Sequence, residues 1–146
     1  MVMKIYMDNC CLNRPFDDQT DPRVRLESEA VKTILTFFEK EIWDFATSDI
    51  LKFEIDNTSD EQRRNNLYSI YDLAKINIKL TDSIKNRAKQ FEGLGVQAFD
   101  AMHLASAENN ADIFLTTDDR FVKKAERISD LKTEIYNPLK WLNEVL

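Results

Sequence analysis

Four acidic residues stand where carboxylates can do chemistry. Asp8 closes the apolar run Lys4-Ile5-Tyr6-Met7, and Asp118 follows Ile113-Phe114-Leu115-Thr116. Asp100 interrupts Val96-Gln97-Ala98-Phe99 and Ala101-Met102-His103-Leu104-Ala105, while Glu54 lies between Phe53 and Ile55, one turn beyond Ile50. Taken singly, Asp8 and Asp118 are also what a helix cap or turn requires, and Asp100 gains about 0.3–1 kcal/mol from the positive end of a helix. Asp100 and Glu54 are harder to dismiss, because an unpaired charge among core-type residues is costly and calls for a cation partner or a metal. Should the four converge, like charges about 4 Å apart repel by about 4 kcal/mol at an effective dielectric near 20. Such a cluster raises carboxyl pKa values and welcomes a divalent cation. Its donors are all oxygens, which select the hard ions Mg²⁺ or Mn²⁺ that pair with phosphate oxygens. An ion of that kind activates water and neutralises charge developing on a phosphodiester.

Scarce residues exclude the alternatives. Gly93 and Gly95 are the two glycines, too few for a Walker A loop or a GxGxxG turn. A single histidine, His103, cannot build a paired-histidine zinc site, and no serine stands in a GxSxG turn. Cys10 and Cys11 are adjacent, poorly placed to bridge each other, and read as packing residues of a reduced protein. Carboxylates must carry any catalysis.

The elements that position them are those of one α/β domain over residues 1–146. The chain is 43% hydrophobic, enough for a substantial core, and carries 20 Lys plus Arg against 26 Asp plus Glu, a formal charge of −6. The N-terminal apolar run is too short for a secretory leader or a membrane span, which sets the cytoplasm as the expected location with no membrane partner. Strands are expected at Lys4–Met7, Trp43–Thr47, Ile76–Leu80, Asp112–Thr116 and Glu134–Tyr136. Helices are expected from about Arg23 to Lys40, from a Thr47 or Ser48 cap to Asn57, from a Ser59–Gln62 capping box to Lys75, from Thr81 to Gly93, from Gln97 to Asn109, from Asp118 to Ile128, and from Pro138. The stretch Asn9–Pro22, rich in Asn, Asp and Pro, reads as a loop. Strands separated by helices imply a Rossmann-like α/β/α sandwich around a mostly parallel five-stranded sheet. Acids at the carboxyl ends of its strands point into the expected ligand crevice.

The set Ile5-Tyr6-Met7-Asp8-Asn9, Ser48 through Glu54, Phe99-Asp100-Ala101-Met102-His103-Leu104-Ala105-Ser106-Ala107 and Leu115-Thr116-Thr117-Asp118-Asp119-Arg120-Phe121 resembles the PIN-domain nucleases over nearly the whole chain. Bacterial members are often VapC-type toxins of toxin–antitoxin pairs. The resemblance implies a metal-dependent endoribonuclease with Asp8, Glu54, Asp100 and Asp118 holding Mg²⁺ or Mn²⁺, and Asn9 or Thr116 in support. It implies RNA as substrate, an antitoxin protein as partner of a toxin, and a homodimer among the expected assemblies. The loop after Asp8 is longer and more polar than in compact toxins, and Asp119 competes with Asp118, which stands two residues after Thr116 as the family pattern has it.

Arg14, in the loop beside Asp8, is a candidate phosphate contact for RNA, and an exposed loop arginine is equally one that water satisfies. His103, one turn beyond Asp100, reads first as a packed core residue and second as a proton shuttle. The net negative charge argues against tight nonspecific nucleic-acid binding, leaving local basic patches and the metal to hold a substrate. Two rivals stand beside the nuclease: a noncatalytic RNA- or protein-binding module, which would not bind Mn²⁺, and a haloacid-dehalogenase-like phosphatase, which wants an acid where Cys10 stands.

Overall fold

A computed structural model describes residues 2–146. Five strands, β1 (Lys4–Met7), β2 (Asp44–Ser48), β3 (Ile76–Ile78), β4 (Ile113–Leu115) and β5 (Glu134–Tyr136), form one sheet in the order β3-β2-β1-β4-β5. Every pairing is parallel. Residues Ile5, Tyr6 and Met7 of the central strand are all fully buried, as a strand covered on both faces requires.

Helices α2 (Pro22–Glu39), α3 (Asp49–Asp56), α4 (Glu61–Tyr71) and α8 (Pro138–Val145) contribute to the core on one face, where Ile34, Leu51, Leu67 and Trp141 meet Ile5, Met7, Phe45 and Leu115. Helices α5 (Asp82–Gly93), α6 (Ala98–Ala107) and α7 (Asp119–Glu126) cover the other, where Phe91, Leu104 and Phe121 meet Tyr6, Ala46 and Phe114. The alternation of Ile5, Tyr6 and Met7 between these two clusters is the period of two along β1. The sheet is therefore the three-layer α/β/α arrangement expected from the sequence, and wholly parallel. Its winding direction reverses between β1 and β4, so the ligand crevice of such a sheet opens beyond Met7 and Leu115.

The stretch after Asp8 departs from expectation. It is not a loop but a short helix, α1 (Asn9–Asn13), followed by a 3-10 turn over Arg14–Phe16. Weak helix formers fold here because Asp8 caps the first turn and Arg63 of α4 grips the far end. Arg63 Nη1 donates to Asn13 Oδ1 and Asp17 Oδ1, both at 3.0 Å, and Nη2 to the Phe16 carbonyl at 2.6 Å. Tertiary hydrogen bonds thus override local propensity. Asp60, not Ser59, caps α4 by accepting from Arg63 N, and α4 stops at Tyr71 where Lys75 was expected. Strand β3 likewise ends at Ile78, short of Leu80. Trp43 lies outside β2, packed between Phe37 and Trp141.

Candidate functional site

Asp8 leaves β1 and turns at once into α1. Its amide still donates to the Leu115 carbonyl of β4, at 3.3 Å, so the first residue past the strand is held across the switch in winding. The carboxylate is 3% exposed, and Oδ1 accepts from the Cys10 thiol at 3.0 Å and from the Cys11 amide at 3.2 Å. Burial pushes the Asp8 carboxyl above the ordinary value, while the His103 imidazole, the Cys10 thiol, the Thr116 hydroxyl and the Cys11 amide pull it back.

Thr116 ties the loops after β1 and β4 together. Its hydroxyl lies 3.3 Å from Cys10 Sγ and accepts from the Asp118 amide at 3.2 Å. Asp118 then caps α7, with Oδ1 accepting from Arg120 N at 3.0 Å and Phe121 N at 3.2 Å. The neighbouring Asp119 turns away and pairs with Arg23 of α2 at 2.7 Å. Both Asp8 and Asp118 are thus helix caps, the plain role open to each from sequence, and both also act on a third acid. Asp100, half-buried in the first turn of α6, has its carboxyl raised to about 6 by burial first, then by the negative charges of Asp8 and Asp118, with Glu54 adding to them and His103 opposing.

Glu54 finds a partner in His103. Nε2 of this buried imidazole is hydrogen-bonded to Glu54 Oε1, and Nδ1 lies 2.5 Å from the Tyr6 hydroxyl, which is 2.6 Å from Ser48 Oγ. Ser48 in turn caps α3 by accepting from Leu51 N at 3.2 Å. Glu54, the two ring nitrogens of His103, the Tyr6 phenol and Ser48 Oγ thus form one continuous chain in which every polar member has a partner. Burial keeps the Tyr6 phenol protonated, well above its ordinary range. His103 is therefore more than a packed residue, and Tyr6 and Ser48 join a polar chain that period-two patterning reads as plain strand. Cys10 also exceeds its expected packing role by donating to Asp8. Its thiol is held far above the ordinary range by burial and then by the Asp8 charge, whereas Cys11 is fully buried in the core.

Arg14 and Asn9 serve the scaffold. Arg14 donates through Nε to the buried Glu27 at 2.9 Å and through Nη1 to Asp17 at 3.3 Å, so its guanidinium is ion-paired within the fold. Asn9 Oδ1 accepts from Asn13 Nδ2 at 3.0 Å within α1. A cavity of about 700 Å³ runs beside β5, lined by Val122, Ile128, Leu131 and Ile135, and none of the four acids borders it.

Among the described residues no three His, Cys, Asp or Glu side chains are grouped closely enough to enclose an ion. The donor chemistry nevertheless fits a hard dication that keeps most of its waters and touches one or two carboxylates, because the charges of Asp8, Asp118 and Glu54 all reach Asp100 and every acid offers oxygen.

A family model described as PIN domain matches residues 5–127. The fold is similar to the crystal structure of FitAcB from Neisseria gonorrhoeae, with a TM-score of 0.62 and 18% identity over 92% of this chain and 97% of that one. It is also similar to VapBC2 from Rickettsia felis bound to a DNA fragment from their promoter, with a TM-score of 0.56 and 14% identity over 92% of this chain and 100% of that one. No curated protein matches the chain.

Proposed function

The chain belongs to the PIN-domain family, and from that premise we propose that it is a metal-dependent endoribonuclease acting at the crevice beyond β1 and β4. The observation that supports this most directly is positional. Asp8 and Asp118 leave adjacent central strands at the reversal of winding, and α3 and α6 bring Glu54 and Asp100 to the same neighbourhood. Of Asp8, Glu54, Asp100 and Asp118, one or two carboxylates would hold Mg²⁺ or Mn²⁺ directly and the others through its waters. The ion, when bound, supplies charge neutralisation for phosphate oxygens and a more acidic water.

The chain's own residues do the positioning. The Cys11 amide and Cys10 thiol fix one oxygen of Asp8, and Thr116 fixes the approach of Asp118. The imidazole of His103, steadied by the Tyr6 phenol, holds the Glu54 carboxylate in one orientation. The likeness to FitAcB and VapBC2 supports a toxin role with an antitoxin protein as partner.

Cleavage of single-stranded RNA with Mn²⁺ is the test. Asp8→Asn and Asp100→Asn should fold and lose at least about 100-fold in rate, a loss of about 2.7 kcal/mol in transition-state stabilisation. Unchanged cleavage by both variants would overturn the assignment of these acids, and absence of Mn²⁺-dependent cleavage by the wild type would overturn the nuclease reading in favour of a noncatalytic binding module.

A further inference from the structure

Phe53 and Phe99 are the two aromatics among the large apolar side chains left exposed in the described residues, at 54% and 49%. They stand together. Their ring centroids are 6.0 Å apart with 19° between the planes, one on α3 and one on α6. Each immediately precedes a candidate acid, Glu54 in the first case and Asp100 in the second. The helices that carry them are joined by the hydrogen bond between Glu54 and His103.

We infer that this pair is a stacking subsite for an unpaired nucleobase of the substrate; the inference rests on the nuclease reading above. Stacking on an aromatic face is indifferent to charge and to base identity. That matters for a chain of net charge −6, in which the guanidiniums of Arg14, Arg23 and Arg63 are engaged by Glu27, Asp17 and Asp119. Those three guanidiniums are occupied, and neutral stacking adds hold on a substrate that a chain of net negative charge does not gain from charge alone. Bases within a duplex are already stacked on one another, so only a strand with splayed bases can use the site.

The experiment uses the full chain and a fluorescein-labelled single-stranded RNA, with binding followed by anisotropy in chelator and cleavage followed in Mn²⁺. Phe53→Leu and Phe99→Leu keep apolar volume and remove the aromatic face, and each should weaken binding by about 5- to 100-fold and raise KM more than it lowers kcat. Phe99→Trp should restore binding. A single abasic nucleotide near the cleaved bond should weaken binding to the wild type and have little further effect on Phe99→Leu. Wild-type binding by both Leu variants would overturn the inference, as would a fall in molar mass by light scattering with RNA affinity unchanged, which would make the pair a seam between copies. Loss of capture of a protein partner, with RNA affinity unchanged, would overturn it equally. If the wild type cleaves RNA and the Leu variants keep its KM, the stacking subsite alone falls. If the wild type neither binds nor cleaves RNA, the nuclease reading falls and takes this inference with it.

Discussion

Replacing Asp100 by Asn measures how far burial first, and the neighbouring acids second, disfavour its charge in the metal-free fold. The Asp100 carboxyl sits at about 6 against an ordinary 3.8. Between those pH values the folded chain holds a proton that the unfolded chain has released, so the stability this group contributes falls as pH rises, and the deficit is complete above about pH 6. At 1.36 kcal/mol per pH unit the full difference is about 3 kcal/mol. Asp100 is only half-buried, and solvent screening leaves about 1.5 kcal/mol of it. Asn has the same shape and cannot ionise. In chelator at pH 7.5, Asp100→Asn should therefore be about 1.5 kcal/mol more stable than the wild type, and most of that gap should close by pH 4. Urea unfolding followed by tryptophan fluorescence reads this directly, because Trp43 and Trp141 pack together against the core. Mn²⁺ at a hundredfold over its Kd adds about 2.7 kcal/mol to the wild type, and should add far less to the variant, reversing their order. A variant less stable than wild type at pH 7.5 in chelator, or a gap that ignores pH, would refute the reading of Asp100 as a partly buried charge set among like charges.

Four further substitutions probe the scaffold and the assignment of the acids. His103→Gln cannot bridge Tyr6 and Glu54 at once, so it strands buried polar groups and should lower the urea midpoint by an amount equivalent to about 1–3 kcal/mol. Glu27 is 1% exposed and receives Arg14, Arg23 and Asn137; Glu27→Ala should cost about 3 kcal/mol in the same assay. Asp118→Asn retains a good helix cap yet should abolish RNA cleavage, whereas Asp119→Asn removes only a surface ion pair with Arg23 and should cleave at nearly the wild-type rate. Equal rates for these two variants would show that Asp118 has been assigned the wrong role.

Much of the framework was legible because parallel strands announce themselves. Ile5-Tyr6-Met7 and Ile113-Phe114-Leu115 are short unbroken apolar runs, and an acid straight after such a run marks a strand's carboxyl end. Cap chemistry was equally readable where one side chain decides it, as with Ser48, Thr81 and Pro138. What escaped depended on partners distant in sequence. Nothing in Asn9-Cys10-Cys11-Leu12-Asn13 signals a helix, since Arg63 of α4 supplies its closing hydrogen bonds. Tyr6 looked like any strand aromatic until its hydroxyl was found against Ser48 and His103, residues 42 and 97 positions away. Arg14 looked available because Glu27 gives no local sign of its burial. Phe53 and Phe99 passed as ordinary helix residues, for helical periodicity does not reveal that two faces on separate helices come together in the open.

The middle of the sheet is closed by a pairing between residues far apart in sequence: Lys4 meets Asp112, 108 positions later. Contacts this remote form slowly and late. During synthesis, three of the four acids have been made before β4 exists, yet Asp8 has no neighbouring strand on that side and Asp118 has not been added. A nascent or prematurely terminated product would therefore be chemically idle. For the nuclease proposed above this is a built-in order of assembly: the four acids share one edge only after β4 has been made and has paired with β1.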